Sequence, residues 1–138
     1  MKIKGLLVIP GMETKVVKIP SNIKYLKSFI GDNLFKLPLD ESNILIGNQN
    51  ARVDELNRFY KGNIILGKFI IVSTKKNRNV SMKRKDIRKY RNAFKLKKHQ
   101  KKIDMFREEF LEEHYSKQRE MKLKNREINK NTLFKEVA

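Results

Sequence analysis

The sequence predicts an α+β fold: a small, mostly antiparallel sheet of about five strands with one or two covering helices, then a long basic C-terminal helix. Three observations carry that expectation. Short runs rich in β-branched residues and Leu, separated by turn residues, fill the first 74 positions. All six Gly lie at or before Gly67 and all three Pro at or before Pro38, so Lys68 to Ala138 holds neither breaker and permits helix through most of its length. Charge is concentrated: Lys75 to Lys102 contains 14 Lys or Arg and one acid, Asp86, a net +13 of the chain's +18.

The elements follow in order. Ile3 to Ile9 is a strand closed by the turn pair Pro10-Gly11, and Thr14 to Ile19 returns beside it as a hairpin. Pro20-Ser21 opens a helix with Ser21 as N-cap, an apolar stripe of Ile23, Leu26 and Ile30, and Gly31 at its end. Asn33 to Leu39 and Asn43 to Ile46 read as strands around the turn Asp40-Glu41-Ser42. Gln49 to Lys61 fits a short helix on Val53, Leu56 and Tyr60, or a long loop. Ile64 to Ser73 is the most hydrophobic segment and reads as the central strand, bulged at Gly67.

In the second half Ser81 is the expected N-cap, and Ile87, Tyr90 and Phe94 repeat at helical spacing to pack on the sheet. Leu96, Ile103, Phe106, Phe110, Met121 and Ile128 form a second stripe. At about 100° per residue, Ile103 and Phe110 lie nearly opposite Ile87 and Phe94, so one straight helix cannot serve both. Either the chain bends between Phe94 and His99, or the distal helix leaves the sheet. The second is the expectation, because a helix from Gln100 to Asn129 would run about 45 Å, longer than a small domain covers. The pairs Glu113 with Lys117 and Glu120 with Lys124 suit a solvated helix. The organisation is an α+β domain over 1–95 and an extended charged arm over 96–138.

Composition narrows the function classes. Without Cys there are no disulfides or thiolate ligands. No apolar run approaches a membrane span, and the first residues lack a signal-peptide core, so the expected setting is cytoplasmic, with no membrane partner. Lys (24) outnumbers Arg (9), as AT-rich coding would produce, but that bias would not leave the last 36 residues neutral.

The basic run therefore points to a polyanion. Lys83, Arg84, Lys85, Arg88, Lys89, Arg91, Lys95, Lys97, Lys98, Lys101 and Lys102 are the candidate phosphate contacts. Arg84, Arg88, Arg91, Lys95 and Lys98 form one helical stripe about a quarter-turn from Ile87, Tyr90 and Phe94, so it stays solvated when those pack. Nucleic acid is favoured over an acidic protein surface, an anionic membrane or a merely solvated face. Ile103, Phe106, Phe110 and Leu111 are the candidate protein contacts, for a partner or for self-association.

Other signals are weaker. Tyr90 and Phe94 could stack on bases, but their spacing with Ile87 favours a core role. Residues Gly62 to Lys68 match the first seven positions of a P-loop, yet Phe69 stands where Ser or Thr would hold Mg²⁺ and a strand follows. His99 and His114 lack ligand spacing, and His99 reads as part of the basic patch. No cofactor or metal is expected. A paired-carboxylate site, or a metal nuclease, using Asp40, Glu41, Asp54, Glu55 and Lys68 is the third reading.

Over about residues 1–95 the chain resembles a domain-of-unknown-function family of small α+β proteins from bacteriophages and other mobile elements. The matching stretches are LLVIPG, KLPLDESNILIGNQNA, LNRFY and IILGKFIIV, with Asn57, Arg58 and Gly67 on recurrent positions and a helix opening near Ser81. The resemblance brings no catalytic residues. It implies an accessory protein, acting in some members on host defence or gene expression. The basic tail after Lys95 departs from the family's compact form.

Together these readings describe a non-catalytic nucleic-acid-binding or ribonucleoprotein-binding accessory protein. The alternative is a protein–protein adaptor or virion component that docks its helix on an acidic partner.

Overall fold

The Phe69–Lys75 strand (β7) is buried on both faces from Phe69 to Ser73, and the rest of the fold is arranged about it. The computed structural model describes residues 2–109. In chain order the elements are β1 (Lys2–Val8), β2 (Lys15–Pro20), α1 (Ile23–Ile30), β3 (Leu34–Pro38), β4 (Asn43–Asn48), β5 (Leu56–Tyr60), β6 (Asn63–Leu66), β7, β8 (Arg78–Val80) and α2 (Arg84–Ala93). A further helix, α3, occupies residues 96–109 of the described chain. The protein is α+β, its main sheet antiparallel in the order β2-β1-β7-β4-β3, with β8 pairing the end of β7. β5 and β6 form a separate two-stranded ribbon.

Alternation along β7 sends Phe69 and Ile71 to one face and Ile70 and Val72 to the other, and each face has its own core. Ile70 and Val72 meet Leu26 and Ile30 of α1 with Ile3, Ile19 and Ile46. Phe69 and Ile71 meet Leu6, Val8, Leu45, Ile65 of the ribbon, and Tyr90 and Phe94 of α2. Burial on both faces explains why this strand reads as a continuous hydrophobic run rather than an alternating one.

Several boundaries differ from the sequence reading. Gly67 is not a bulge within one strand: at φ +73°, a conformation glycine adopts without strain, it separates β6 from β7, which lie in different sheets. A Cβ there would stand 2.8 Å from that of Ala51. Gln49 to Lys61 is loop followed by β5. The N-cap of α1 is Asn22, whose side chain accepts from Tyr25 N at 2.7 Å, one position beyond Ser21. Ser81 is not a helix cap either; its Oγ accepts from Lys4 N at 2.9 Å and fastens the approach to α2 onto β1. The basic run opens as a hairpin, with Lys76 and Asn77 at positive φ in the turn between β7 and β8.

The chain does bend after α2. Phe94 is its C-cap at φ −105°, ψ 20°, and α3 starts two residues later. Ile103 is only 3% exposed, so the first turns of α3 pack on the α+β body. The compact units are accordingly Met1–Ile103 and Asp104–Ala138, with the boundary eight residues beyond Lys95. The expectation that the helix departs at once from the sheet fails because the bend turns Ile103 inward. Among the described residues, no helix is long and apolar enough to cross a membrane.

Candidate nucleic-acid interface

Three anchors fix α2 from beneath. Along its inner face Ile87, Tyr90 and Phe94 enter the core, and the Phe94 ring meets Phe69 edge-on at 5.4 Å and lies 5.7 Å from Tyr60. Burial of Tyr90 and Phe94 removes them as base-stacking platforms.

The second anchor is a hydrogen bond from the Tyr90 hydroxyl to Asp40 Oδ2. Asp40 also accepts from the backbone of Ser42 (2.7 Å) and Asn43 (2.9 Å) and from the Asn43 side chain (3.0 Å), so its oxygens organise the turn between β3 and β4. Burial opposes ionisation of Asp40, but the bonds from Tyr90, Asn43 and the turn amides outweigh it and hold the carboxyl near about 2. Burial and the Asp40 charge push the Tyr90 phenol up.

The third is Arg58, fully buried on β5. Its Nε–H donates to Phe94 O (2.9 Å), Nη1 to Asn57 O (3.1 Å) and Asn57 Oδ1 (2.9 Å), and Nη2 to Met12 O (2.6 Å). Desolvation lowers its pKa, opposed by the charge of Glu13. Asn57 completes the knot by donating to Val8 O and Gly67 O. Among the described residues every buried side-chain nitrogen and oxygen has a partner.

At the bend, His99 Nδ1 accepts from Phe59 N at 3.3 Å while Nε2 lies 2.8 Å from Ala93 O, a pairing that requires the neutral ring with its proton on Nε2. Burial depresses its pKa, helped by Arg58, Lys102 and Lys98 and opposed by the Ala93 carbonyl. His99 is therefore a neutral clasp between α3 and β5 and does not add charge to the patch.

The outer side of the same elements is cationic. All eleven candidate phosphate contacts, from Lys83 to Lys102, are exposed. The Arg52–Asp54 ion pair lies in the loop before β5, and α2 itself sets five basic residues against one acid, Asp86 in its first turn. Among the described residues, Lys85, Arg88, Lys89, Arg91, Asn92 and Lys95 line an open groove of about 630 Å³. Asn92 accepts from Lys98 Nζ at 3.0 Å, joining the end of α2 to the start of α3. Lys89 Nζ lies 5.3 Å from the Tyr90 ring centroid, and cations held on the solvent side of a helix suit charge-assisted bonds to phosphate oxygens.

The remaining candidates separate. Ile103 is core and leaves the protein-contact set, because the bend places it against the body. Phe106 is half-buried in the second unit, and Phe110 and Leu111 lie outside the described residues. Asp40 is occupied as a turn organiser and Asp54 pairs with Arg52. Among the described residues no three His, Asp or Glu gather in a metal-holding group. The P-loop-like stretch forms β6, and Lys68 lies over the Phe29 ring at 4.5 Å rather than over a loop of amides.

Sequence reasoning missed Arg58 and Asn57 as structural residues. The available signal was an Asn-Arg pair inside an apolar strand, between Leu56 and Phe59. No family model matches the chain, and neither a curated protein nor a solved structure does.

Proposed function

We propose that this protein is a non-catalytic nucleic-acid-binding module that grips the sugar–phosphate backbone, alone or within a ribonucleoprotein, through the outer face of α2 and the bend into α3. The observation that carries the reading is the combination on α2 of exposed cations, five basic residues against the single acid Asp86, and support from Tyr90, Phe94 and Arg58. Such a face positions a nucleic acid without reading its sequence. The motif resemblance supplies the setting, an accessory protein of a phage or mobile element acting in the host cytoplasm. If the protein counters a host defence, its charge is opposite to that of a nucleic-acid mimic, so guide RNA or target strand is the natural point of engagement.

The test is retention of oligonucleotides by the purified protein as a function of salt. Six to eight phosphate contacts give a slope of roughly −5 to −7 in log K against log salt. Reversing Arg84, Arg88, Arg91 and Lys95 to Glu abolishes retention while the circular dichroism spectrum and melting temperature stay close to the parent's. A protein that binds no oligonucleotide at low salt but captures an acidic protein is instead an adaptor.

A further inference from the structure

The outer face of α2 carries two rows of charge rather than one. At about 100° per residue, Arg84, Arg88 and Arg91 fall within about 60° of one another, and Lys85 and Lys89 form a second row about 100° further round. Asn92 stands between the rows, and the open groove lies among these side chains. Tyr90 and Phe94 occupy the opposite side, in the core, so both rows point away from the body of the protein.

The dimensions match one class of polyanion. A helix with its side chains is about 10–12 Å across and the major groove of B-form DNA is about 12 Å wide, so rows on two flanks of one helix meet phosphates on two strands. The ten residues of α2 extend about 15 Å, enough to lie in the groove from one border to the other. A single strand offers one line of phosphates and is ordinarily held by stacking on exposed rings. Here Tyr90 and Phe94 are buried, and Lys102 and Lys61 lie over the rings of Phe59 and Tyr60. The major groove of A-form RNA is deep and narrow and does not admit such a helix.

Building on the nucleic-acid reading, we infer that α2 seats in the major groove of double-stranded DNA, with the Arg84–Arg88–Arg91 row on the phosphates of one strand and Lys85 and Lys89 on those of the other. The contacts are to the backbone, so affinity depends on duplex form and only weakly on sequence.

The experiment compares, by fluorescence anisotropy at one salt concentration, binding of the full chain to a mixed-sequence DNA duplex, to each separated strand, and to an RNA duplex of the same sequence. The DNA duplex binds roughly tenfold or more tightly than the other probes. Lys85→Glu with Lys89→Glu leaves the arginine row intact, keeps the fold by circular dichroism, and lowers duplex affinity to the single-strand level. Equal or tighter binding of a single strand or of the RNA duplex overturns the groove assignment and leaves backbone binding standing. So does an undiminished duplex preference in the Lys85/Lys89 variant. Failure of all the probes to bind overturns both.

Discussion

Arg58 donates its Nε–H to the carbonyl of Phe94, 2.9 Å away, and so closes the C-terminal end of α2 from inside the protein. A cation at a helix C-terminus meets the negative end of the helix dipole. This one is buried, and its other hydrogen bonds go to Met12 O in the turn between β1 and β2 and to Asn57 on β5. One guanidinium thereby ties three separate segments with neutral acceptors alone, and the orientation of the exposed basic face depends on a basic residue that never touches solvent.

Replacing Arg58 with Met keeps much of the volume and removes every donor. Four acceptor atoms then lose a buried partner, and the cost is on the order of 3 kcal/mol in urea denaturation. Lys at this position does not restore the loss, because one ammonium cannot reproduce the planar fork. A change below about 0.5 kcal/mol, the range of ordinary surface substitutions, contradicts the tie.

The Tyr90–Asp40 hydrogen bond makes a second prediction. Tyr90→Phe keeps the ring in the core and removes a bond to a charged acceptor, costing about 1.5–3 kcal/mol near neutral pH. Asp40 is held near about 2, below its ordinary 3.8. The unfolded chain therefore binds this proton first as pH falls, so the carboxylate's contribution is complete above about pH 4 and is lost toward pH 2. The penalty of Tyr90→Phe, measured by denaturation at a series of pH values, shrinks across that window. A penalty independent of pH removes the ionised Asp40 from the account.

His99 gives a pH dependence in a higher window. The charged groups that face it are Arg58 of β5 and Lys98 and Lys102 of α3, all cations. Its folded-state pKa lies below the ordinary 6.5, so the unfolded chain takes up the proton first. The stability it provides is full above about pH 6.5 and declines as pH falls below that value. Gln at position 99 can accept from Phe59 N and donate to Ala93 O without titrating. The melting temperature of His99→Gln, compared with the parent from pH 7.5 to 5, loses this part of the acid slope, an interval chosen to bracket the ordinary histidine range. Parallel curves for the two proteins would show that His99 is not the titrating clasp.

Much of the architecture was legible because it rests on local patterns. The Pro10-Gly11 hairpin, the strands on either side of Asp40, and Leu26 and Ile30 of the α1 stripe are written in turn residues and apolar spacing, whereas Ile23 of that stripe is exposed. So was the inner face of α2, since Ile87, Tyr90 and Phe94 share a side and the residues opposite them are polar, most of them basic. What escaped depends on distant partners. The division of Ile64 to Ser73 between two sheets turns on the backbone at Gly67, and a bulge would have used the same glycine. The buried roles of Arg58 and His99 follow from carbonyls and amides brought in from other segments, which no spacing rule encodes. Ile103 was assigned to a partner because a small domain was expected not to cover the second stripe, and the bend at the end of α2 decides otherwise.

The crowding of like charge on α2 has an energetic consequence. With Asp86 the one acid against five basic residues on the helix, these side chains push against one another in the folded state, and the mutual strain is relieved by dissolved counterions. Ionic strength thus acts in two directions on the same residues: it calms the free protein and raises its melting point, while it competes for the surface that a polyanion would occupy. A bound polyanion replaces those counterions and, by mass action, stabilises the fold most where the solution is most dilute in salt.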